Sequence, residues 1–586
     1  TTSMGTLDFE QKLDFITKGL SITGQFSLKV FNSTSTGKYI TPFYFEIDPN
    51  TLVKNDDGTY QYDLRSINTN GSNAAVARNS NSSDRLTNTN IMLNYQREFG
   101  KHDVNAQFIY LQRGYFRNNP ASNNYNAALG ERNQGIAGRL TYNFGRRYYT
   151  EFNFAYNGSD NFVEGKKFGF FPSIALGYIL SNEKFFEPLT KVVSLLKVRG
   201  SYGLVGNSLT SERFQGYTHL TMDGKSYSFG PTFNSSMKGA VITRYGNPYA
   251  TWETSLKKNI GLEIGLFDNR FLLIADFFRE NRERILLTRQ TVPATIGMGN
   301  ATPFANMGKT RNQGVDLSLE YNHVFNPDFL LTFKGTFTYA KNTLIFRDEP
   351  DYEWDYQYER GGPMNRIGPA YIALGLFKDQ DDIDSSPDQS AVMANVKPGD
   401  IKYKDLNGDK KIDQYDRTYI GDPYIPQIVY GFGLSAKYKR WDFSVYFQGV
   451  SKVSIYMNDI HPFGVYHKNV LGFVAKDYWS ESNPNPNAAY PRLSHTDGRD
   501  NTEVLSSYWL RDGAFLRLKN LEIGYSFKWM RVYLSGANLL TFTPFKHWDP
   551  ELGGYDNKPE SSSANRGNGL RYPLQKIVNI GAQFNF

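Results

Sequence analysis

The chain has 586 residues and a net charge of +7 with no basic stripe, so nothing in it reads as a nucleic-acid surface. It contains no cysteine, which excludes a disulfide framework and a thiolate metal site. Mean hydropathy is −0.52 and no run of eighteen apolar residues occurs, which excludes transmembrane helices but not a β-barrel, whose strands are apolar only at alternate positions.

The length alone would suggest about four soluble domains. Yet the chain shows no Pro/Ser linker, no charge block and no repeat of fixed period. Aromatic residues make up 15% of it, high for a soluble protein and natural for a barrel with interfacial aromatic girdles. The opening residues from Thr1 are polar and carry no signal peptide, so they read as the middle of a longer chain.

Alternation with a period of two then recurs along the sequence. In Ser21 to Val30, Ile22, Gly24, Phe26, Leu28 and Val30 oppose Thr23, Gln25, Ser27 and Lys29. A long polar stretch, Phe31 to Leu86, reads as a loop. Two strands joined at Gly100-Lys101-His102 follow, the first with Ile91, Leu93 and Tyr95 on one face, the second with Val104, Ala106, Phe108 and Tyr110. Leu140, Tyr142 and Phe144 pair the same way with Phe152, Phe154 and Tyr156 across Gly145-Arg146-Arg147. Val315 to Tyr321, Leu331 to Tyr339, Tyr430 to Tyr438 and Leu521 to Phe527 repeat the pattern, whereas Phe271 to Phe278 is apolar on both faces. The final stretch, Gln575 to Phe586, places Val578, Ile580, Ala582, Phe584 and Phe586 opposite Asn579, Gly581, Gln583 and Asn585. The total is about sixteen such segments.

The connections carry more information than the strands. Long polar loops (32–86, 206–251, 284–307, 343–425, 457–511 and 541–573) alternate with tight turns at 100–102, 145–147, 267–270, 325–328, 439–441 and Lys528-Trp529. That asymmetry is the one of outer-membrane barrels, with short periplasmic turns and longer extracellular loops. The expected fold is therefore an all-β transmembrane antiparallel β-barrel. If the last strand descends to the periplasm, the strand at Ser21 ascends, as in a chain whose earlier part lies in the periplasm.

Several segments resemble one family, the SusC/RagA-type TonB-dependent outer-membrane transporters. They are PGDIKYKDLNGDKKIDQYDRTYIG at Pro398 to Gly421, KVRGSYGLVGN at Lys197 to Asn207 and TWETSLKKNIGLEIGLFDNR at Thr251 to Arg270. DYWSESNPNPNAAYPRL at Asp477 to Leu493, FLRLKNLEIGYSF at Phe515 to Phe527 and VYLSGANLLTFTPFKHWDPE at Val532 to Glu551 fit as well, as does the closing YPLQKIVNIGAQFNF. The resemblance implies a barrel of about 22 strands, preceded by a regulatory-like domain, a TonB box and a plug. None of those N-terminal parts matches here, so residues 1–586 read as the C-terminal portion of such a barrel. It also implies, in the outer membrane of a Gram-negative bacterium, active import of bulky oligosaccharides or oligopeptides without covalent chemistry. The implied partners are a SusD-like surface lipoprotein as lid, TonB acting through the N-terminal part, the remaining plug and strands of the same transporter, and outer-membrane lipid. A passive porin or adhesin barrel, and a soluble glycan-binding β-protein, are the rival readings.

Two groups of residues stand out in the loops. Asp405, Asn407, Asp409, Asp413 and Asp416, with the Lys411 carbonyl, place oxygens at positions 1, 3, 5, 9, 12 and 7 of a loop that suits a hard cation such as Ca²⁺. Lys410 sits where such a loop needs glycine and Asp416 replaces the bidentate Glu, so Asx-turns closing the loop on itself are the alternative. Tyr352, Trp354, Tyr356 and Tyr358, with Tyr466, Tyr478 and Trp479, are the candidates for stacking on sugar rings or peptide side chains. Packing within the loops would explain the same aromatics. Gly200, Gly203 and Gly206 lack the helix a phosphate loop needs and read as places where large side chains pack close to a strand.

Overall fold

A computed structural model describes residues 1–68, 70–71, 76–117, 129–209, 213–298, 301–457, 470–493, 501, 504–552, 572 and 574–584. Among these residues seventeen strands form one sheet. In chain order they are β1 (Thr2–Lys12), β2 (Leu20–Tyr39), β3 (Val76–Phe99), β4 (His102–Arg117), β5 (Glu131–Phe144) and β6 (Tyr148–Ser159). Then come β7 (Phe168–Ile179), β8 (Val193–Asn207), β9 (Glu253–Leu266), β10 (Phe271–Thr288), β11 (Phe304–Asn326) and β12 (Phe329–Phe346). The last are β13 (Ile428–Tyr438), β14 (Trp441–Ser451), β15 (Phe515–Ser526), β16 (Met530–Phe542) and β17 (Ile577–Phe584). Each pairs antiparallel with the next in sequence. No described helix is long and apolar enough to cross a membrane.

The expected alternation of connections is present. Short turns such as Gly100-Lys101, 145–147, 267–270, 327–328 and 439–440 lie on one side, together with the longer connection 180–192, and the longest connections lie on the other. Two expectations are corrected. The sheet has seventeen strands rather than about sixteen, because β1 precedes the strand at Ser21 and begins on the long-connection side. Its Leu7 and Phe9 alternate with polar neighbours too briefly to register as a strand by pattern. The stretch 31–86 is not all loop. β2 runs on to Tyr39 and β3 starts at Val76, with Asn32 opposite Ser83 and Ser33 opposite Ser82. Both faces are polar there, so period two disappears while the backbone ladder continues.

Register settles the strand that is apolar on both faces. In β10, Asp276 lies opposite Gly261 and Asp316 and pairs with Arg199, which puts 272, 274 and 276 on the polar face. The other face of the sheet is apolar and uncovered: Leu176 is 57% exposed, Ile260 64%, Phe277 54% and Ile580 82%. Leaving such side chains in water forgoes roughly 1.5–3 kcal/mol each, a cost that a hydrocarbon surround removes. Aromatic rings gather where the short turns begin: His102 with Phe144 (4.9 Å), Tyr148 with Tyr178 (5.0 Å), Phe325 with Phe329 (4.8 Å) and Trp441 with Tyr525 (4.9 Å). This is the girdle of a barrel at a bilayer interface. The polar face carries charge rows instead. Arg199 bridges Glu263 (3.0 Å) and Asp276 (2.6 Å) across β8 to β10, and Arg531 joins Asp442 and Glu522 (2.6 Å) across β14 to β16. Gly206 admits the Phe171 ring at a place where a Cβ could not sit, as expected of that glycine, whereas Gly200 faces open space apart from Asn259 O at 3.7 Å.

Candidate functional site

Among the described residues the largest hydrophobic core is not between the strands. It is built by the described parts of the connections 347–427, 452–514 and 543–576 on the long side. Ile367, Ile401, Tyr403, Ile412, Tyr456, Tyr490, Trp509 and Phe545 are all buried there. Short two-stranded ladders give it a frame: Ile367–Tyr371 with Arg417–Ile420, Ala373–Leu376 with Ile401–Tyr403, and Ser454–Tyr456 with Leu510–Asp512. Main-chain bonds then cross between connections. Tyr371 N donates to Leu505 O (2.9 Å) and Arg492 N to Gly399 O (2.9 Å). These loops are therefore a folded cap with its own interior.

The cap is closed by a buried charge. Asp400 is wholly buried, faces Arg492 at 2.7 Å, and accepts from Asn501 Nδ2 (2.7 Å) and Lys397 N (2.7 Å). Burial pushes its carboxyl above the usual range, and the neighbouring guanidinium and Asn501 offset that in part. Asn501 also accepts from Ile401 N (2.8 Å) and its carbonyl receives Trp509 Nε1 (2.9 Å). A second clamp ties strand to cap: Arg517 on β15, 1% exposed, pairs with Asp549 (2.6 Å) and Glu551. Sequence reading passed over Asp400, Arg492, Asn501 and Arg517. Nothing marks a lone Arg or Asp in a polar loop as buried, and the partners lie 92 and 32 residues apart.

The two groups singled out in sequence come together. Trp354 stacks near Tyr356 (6.1 Å) and lies 5.8 Å from Tyr415, next to the acidic loop. Tyr356 Oη donates to Tyr415 O (2.9 Å), and Thr418 Oγ1 donates to Tyr356 O (2.7 Å). Burial, with the charges of Asp416, Asp405 and Asp409, pushes the Tyr356 hydroxyl up to about 12. Tyr352 meets Tyr358 edge to face at 5.0 Å, and Arg360 lies 3.8 Å over the Tyr358 ring. Tyr352 is the most open of the four, at 39% exposure. The other candidates lie elsewhere. Trp479 is buried in the cap core against Gly399, and half-buried Tyr478 packs on that core, so the Trp479 ring offers no open face. Tyr466 falls outside the described residues.

The acidic loop has a mixed character. Lys410 takes the left-handed conformation (φ 65°) at the position where a cation loop needs glycine. The oxygens, however, are engaged with backbone N–H groups. Asp405 accepts from Gly408 N (2.6 Å) and Lys410 N (2.8 Å), and Asp409 from Lys411 N (2.8 Å). Asp413 accepts from Tyr415 N (2.8 Å), and Asp416 from Leu406 N (2.7 Å) and Asp413 N (2.9 Å). Among the described residues no three His, Asp or Glu side chains converge to hold a metal ion. The donor set as arranged is a chain of Asx-turns and a capping box.

Comparison with known proteins agrees with this architecture. The family "TonB dependent receptor-like, beta-barrel" matches residues 2–539. TonB-dependent receptor P3 of Formosa agariphila is 27% identical over 474 residues, covering 77% of this chain and 45% of the relative. TonB-dependent receptor SusC of Bacteroides thetaiotaomicron is 25% identical over 454 residues, covering 72% and 42%. The solved RagAB peptide transporter superposes with a TM-score of 0.71 at 20% identity, covering all of this chain and 62% of that one, a likeness of fold. The chain thus spans less than half the length of the curated relatives it matches. It belongs to the TonB-dependent receptor-like β-barrel family.

Proposed function

We propose that this chain supplies most of the barrel and outer cap of an outer-membrane importer for bulky solutes, oligosaccharides or oligopeptides, in a Gram-negative bacterium. The observation that carries the reading is the folded cap. Three long connections build a core around Trp509 and Tyr403 and lock it with Asp400–Arg492. A rigid outer platform suits the capture of a large solute and the seating of a partner, for which a SusD-like lipoprotein is the proposed lid. The exposed Tyr352, with Trp354 and Tyr358 behind it, is the proposed contact for rings or peptide side chains. TonB, acting through a plug, is the proposed source of work. These partner and substrate assignments draw support from the SusC and RagAB likenesses. The uncovered apolar sheet face speaks against a soluble glycan-binding protein.

The test is a pull-down from native outer membranes with an affinity tag in the exposed Asp56–Gly58 turn, followed by mass spectrometry. Recovery of a surface lipoprotein and a plug-bearing segment supports the importer. A barrel recovered with neither, that conducts solutes in planar bilayers, would replace it with the passive pore.

A further inference from the structure

The apolar face of the sheet is broken by a groove of about 700 Å³ near the short-turn rim, lined by Tyr148, Thr150, Leu176, Tyr178, Gly200 and Ile260. Its origin is visible in the register. One row of that face crosses Tyr142, Thr150, Leu176, Gly200, Ile260 and Phe277 on six successive strands. Gly200 contributes no side chain to this row and Thr150 a short one, so the surface dips between large neighbours. The volume falls within the ~300–1,000 Å³ typical of small-molecule sites. The walls are uncovered, with Leu176 and Ile260 both more than half exposed.

The rim end of the groove is polar and specific. Glu183, in the connection 180–192, accepts from Tyr148 Oη (2.6 Å) and Tyr178 Oη (3.3 Å) and pairs with Arg147 at 2.7 Å. Those groups are satisfied by one another. Asn182 Nδ2 donates to Arg146 O (2.7 Å), which draws the 180–192 connection onto the 145–147 turn. Arg146 and Lys184 adjoin Arg147 and Glu183 in sequence and are exposed, with no ion pair among the described residues. The same connection exposes Phe185 (69%) and Leu189 (55%), as a segment lying in a bilayer surface would.

We propose that the groove binds an anionic glycerophospholipid of the periplasmic leaflet, an acyl chain lying over Gly200 and the head-group phosphate meeting Arg146 and Lys184. The groove is continuous with the lipid-facing band, which commits the occupant to a membrane lipid. The two unpaired cations select the charged head group. The inference rests on the membrane orientation proposed above.

Native mass spectrometry of the whole protein, purified from outer membranes in mild detergent and titrated with phosphatidylglycerol or phosphatidylethanolamine, tests it. Phosphatidylglycerol should be retained more strongly. Gly200→Leu should weaken retention of both lipids about tenfold, since a Cβ there meets nothing closer than 3.7 Å and the larger side chain fills the groove without moving the strand. Thr150→Leu fills the same groove from the adjacent strand and should act alike. Arg146→Gln with Lys184→Gln should abolish the head-group preference while phosphatidylethanolamine retention persists. Heat-modifiable migration checks that each variant keeps its barrel. Retention unchanged in both groove-filling variants, or a preference that survives loss of both cations, overturns the site. Recovery of the protein in the aqueous fraction without detergent would overturn the membrane orientation itself.

Discussion

Replacing Arg492 with methionine keeps most of the side-chain volume and removes the charge facing Asp400. Asp400 has no exposed surface and keeps hydrogen bonds from Asn501 Nδ2 and Lys397 N. Removing one partner of a buried pair costs about 3–5 kcal/mol, and the two remaining donors place this case near the lower end. Local opening of the cap should therefore become easier by about 3 kcal/mol, roughly 10²-fold in an equilibrium constant. Hydrogen exchange in detergent micelles reads this directly at Ile401, whose N–H donates to Asn501 Oδ1. The sign of the pH effect follows from Asp400, whose carboxyl burial already holds above its ordinary value. A folded-state value above the unfolded one means that the folded cap binds the extra proton. Stability is then lost as pH rises through that window and regained as pH falls. Without Arg492 the carboxyl rises further, so the deficit should be largest in alkaline solution and shrink on acidification. Adding Asp400→Asn should recover part of it at pH 8. Exchange at Ile401 within threefold of wild type at pH 8, or a deficit that grows on acidification, would refute the reasoning.

Gly399 has φ 85° and lies against the Trp479 ring, so Gly399→Ala should loosen the cap by about 2 kcal/mol or more, seen as faster tryptic cleavage within 470–493. The acidic loop should keep its cleavage pattern in a calcium chelator, because its carboxylates already hold its backbone, whereas Asp405→Ala frees two N–H groups at a cost of about 1–3 kcal/mol. A chelator that exposes the loop would support the calcium reading. Trp354→Ala should raise the half-saturation concentration for uptake about fivefold, the loss of one stacking contact of ~1 kcal/mol, with outer-membrane abundance unchanged. Arg517→Met should free the segment from Thr543 to Leu552, measurable as exchange there, while the pairing of β15 with β16 stays protected.

What could be read from sequence was whatever the bilayer imposes. Leu140, Phe152 and Ile260 show period two because hydrocarbon lies on one side of the strand and polar side chains on the other. Where β2 and β3 continue beyond that surround, as at Asn32 to Tyr39, both faces are polar and the strand leaves no trace in the pattern. For the acidic loop, sequence offered a cation site with Asx-turns as the alternative, and the Asx-turns could be named because their bonds span only two to ten residues. The cap was not, since its contacts join Asp400 to Arg492 and Asn501. Trp479 illustrates the difference: an aromatic in a polar loop looks available to a ligand, and burial cannot be inferred without the fold that buries it.

The strands differ greatly in length. β3 has 24 residues and β11 has 23, whereas β13 and β14 have 11 each. At about 3.3 Å per residue the difference is roughly 40 Å along the strand, and the short turns hold every strand level at one end. The sheet therefore rises at β2 and β3, falls to 12 residues at β6 and β7, rises again at β11 and drops at β13, and the cap connections leave it among the short strands from β13 to β17. The long-connection side is thus a stepped surface, and the cap stands on its lowest step with taller strand ends beside it at β11 and β12.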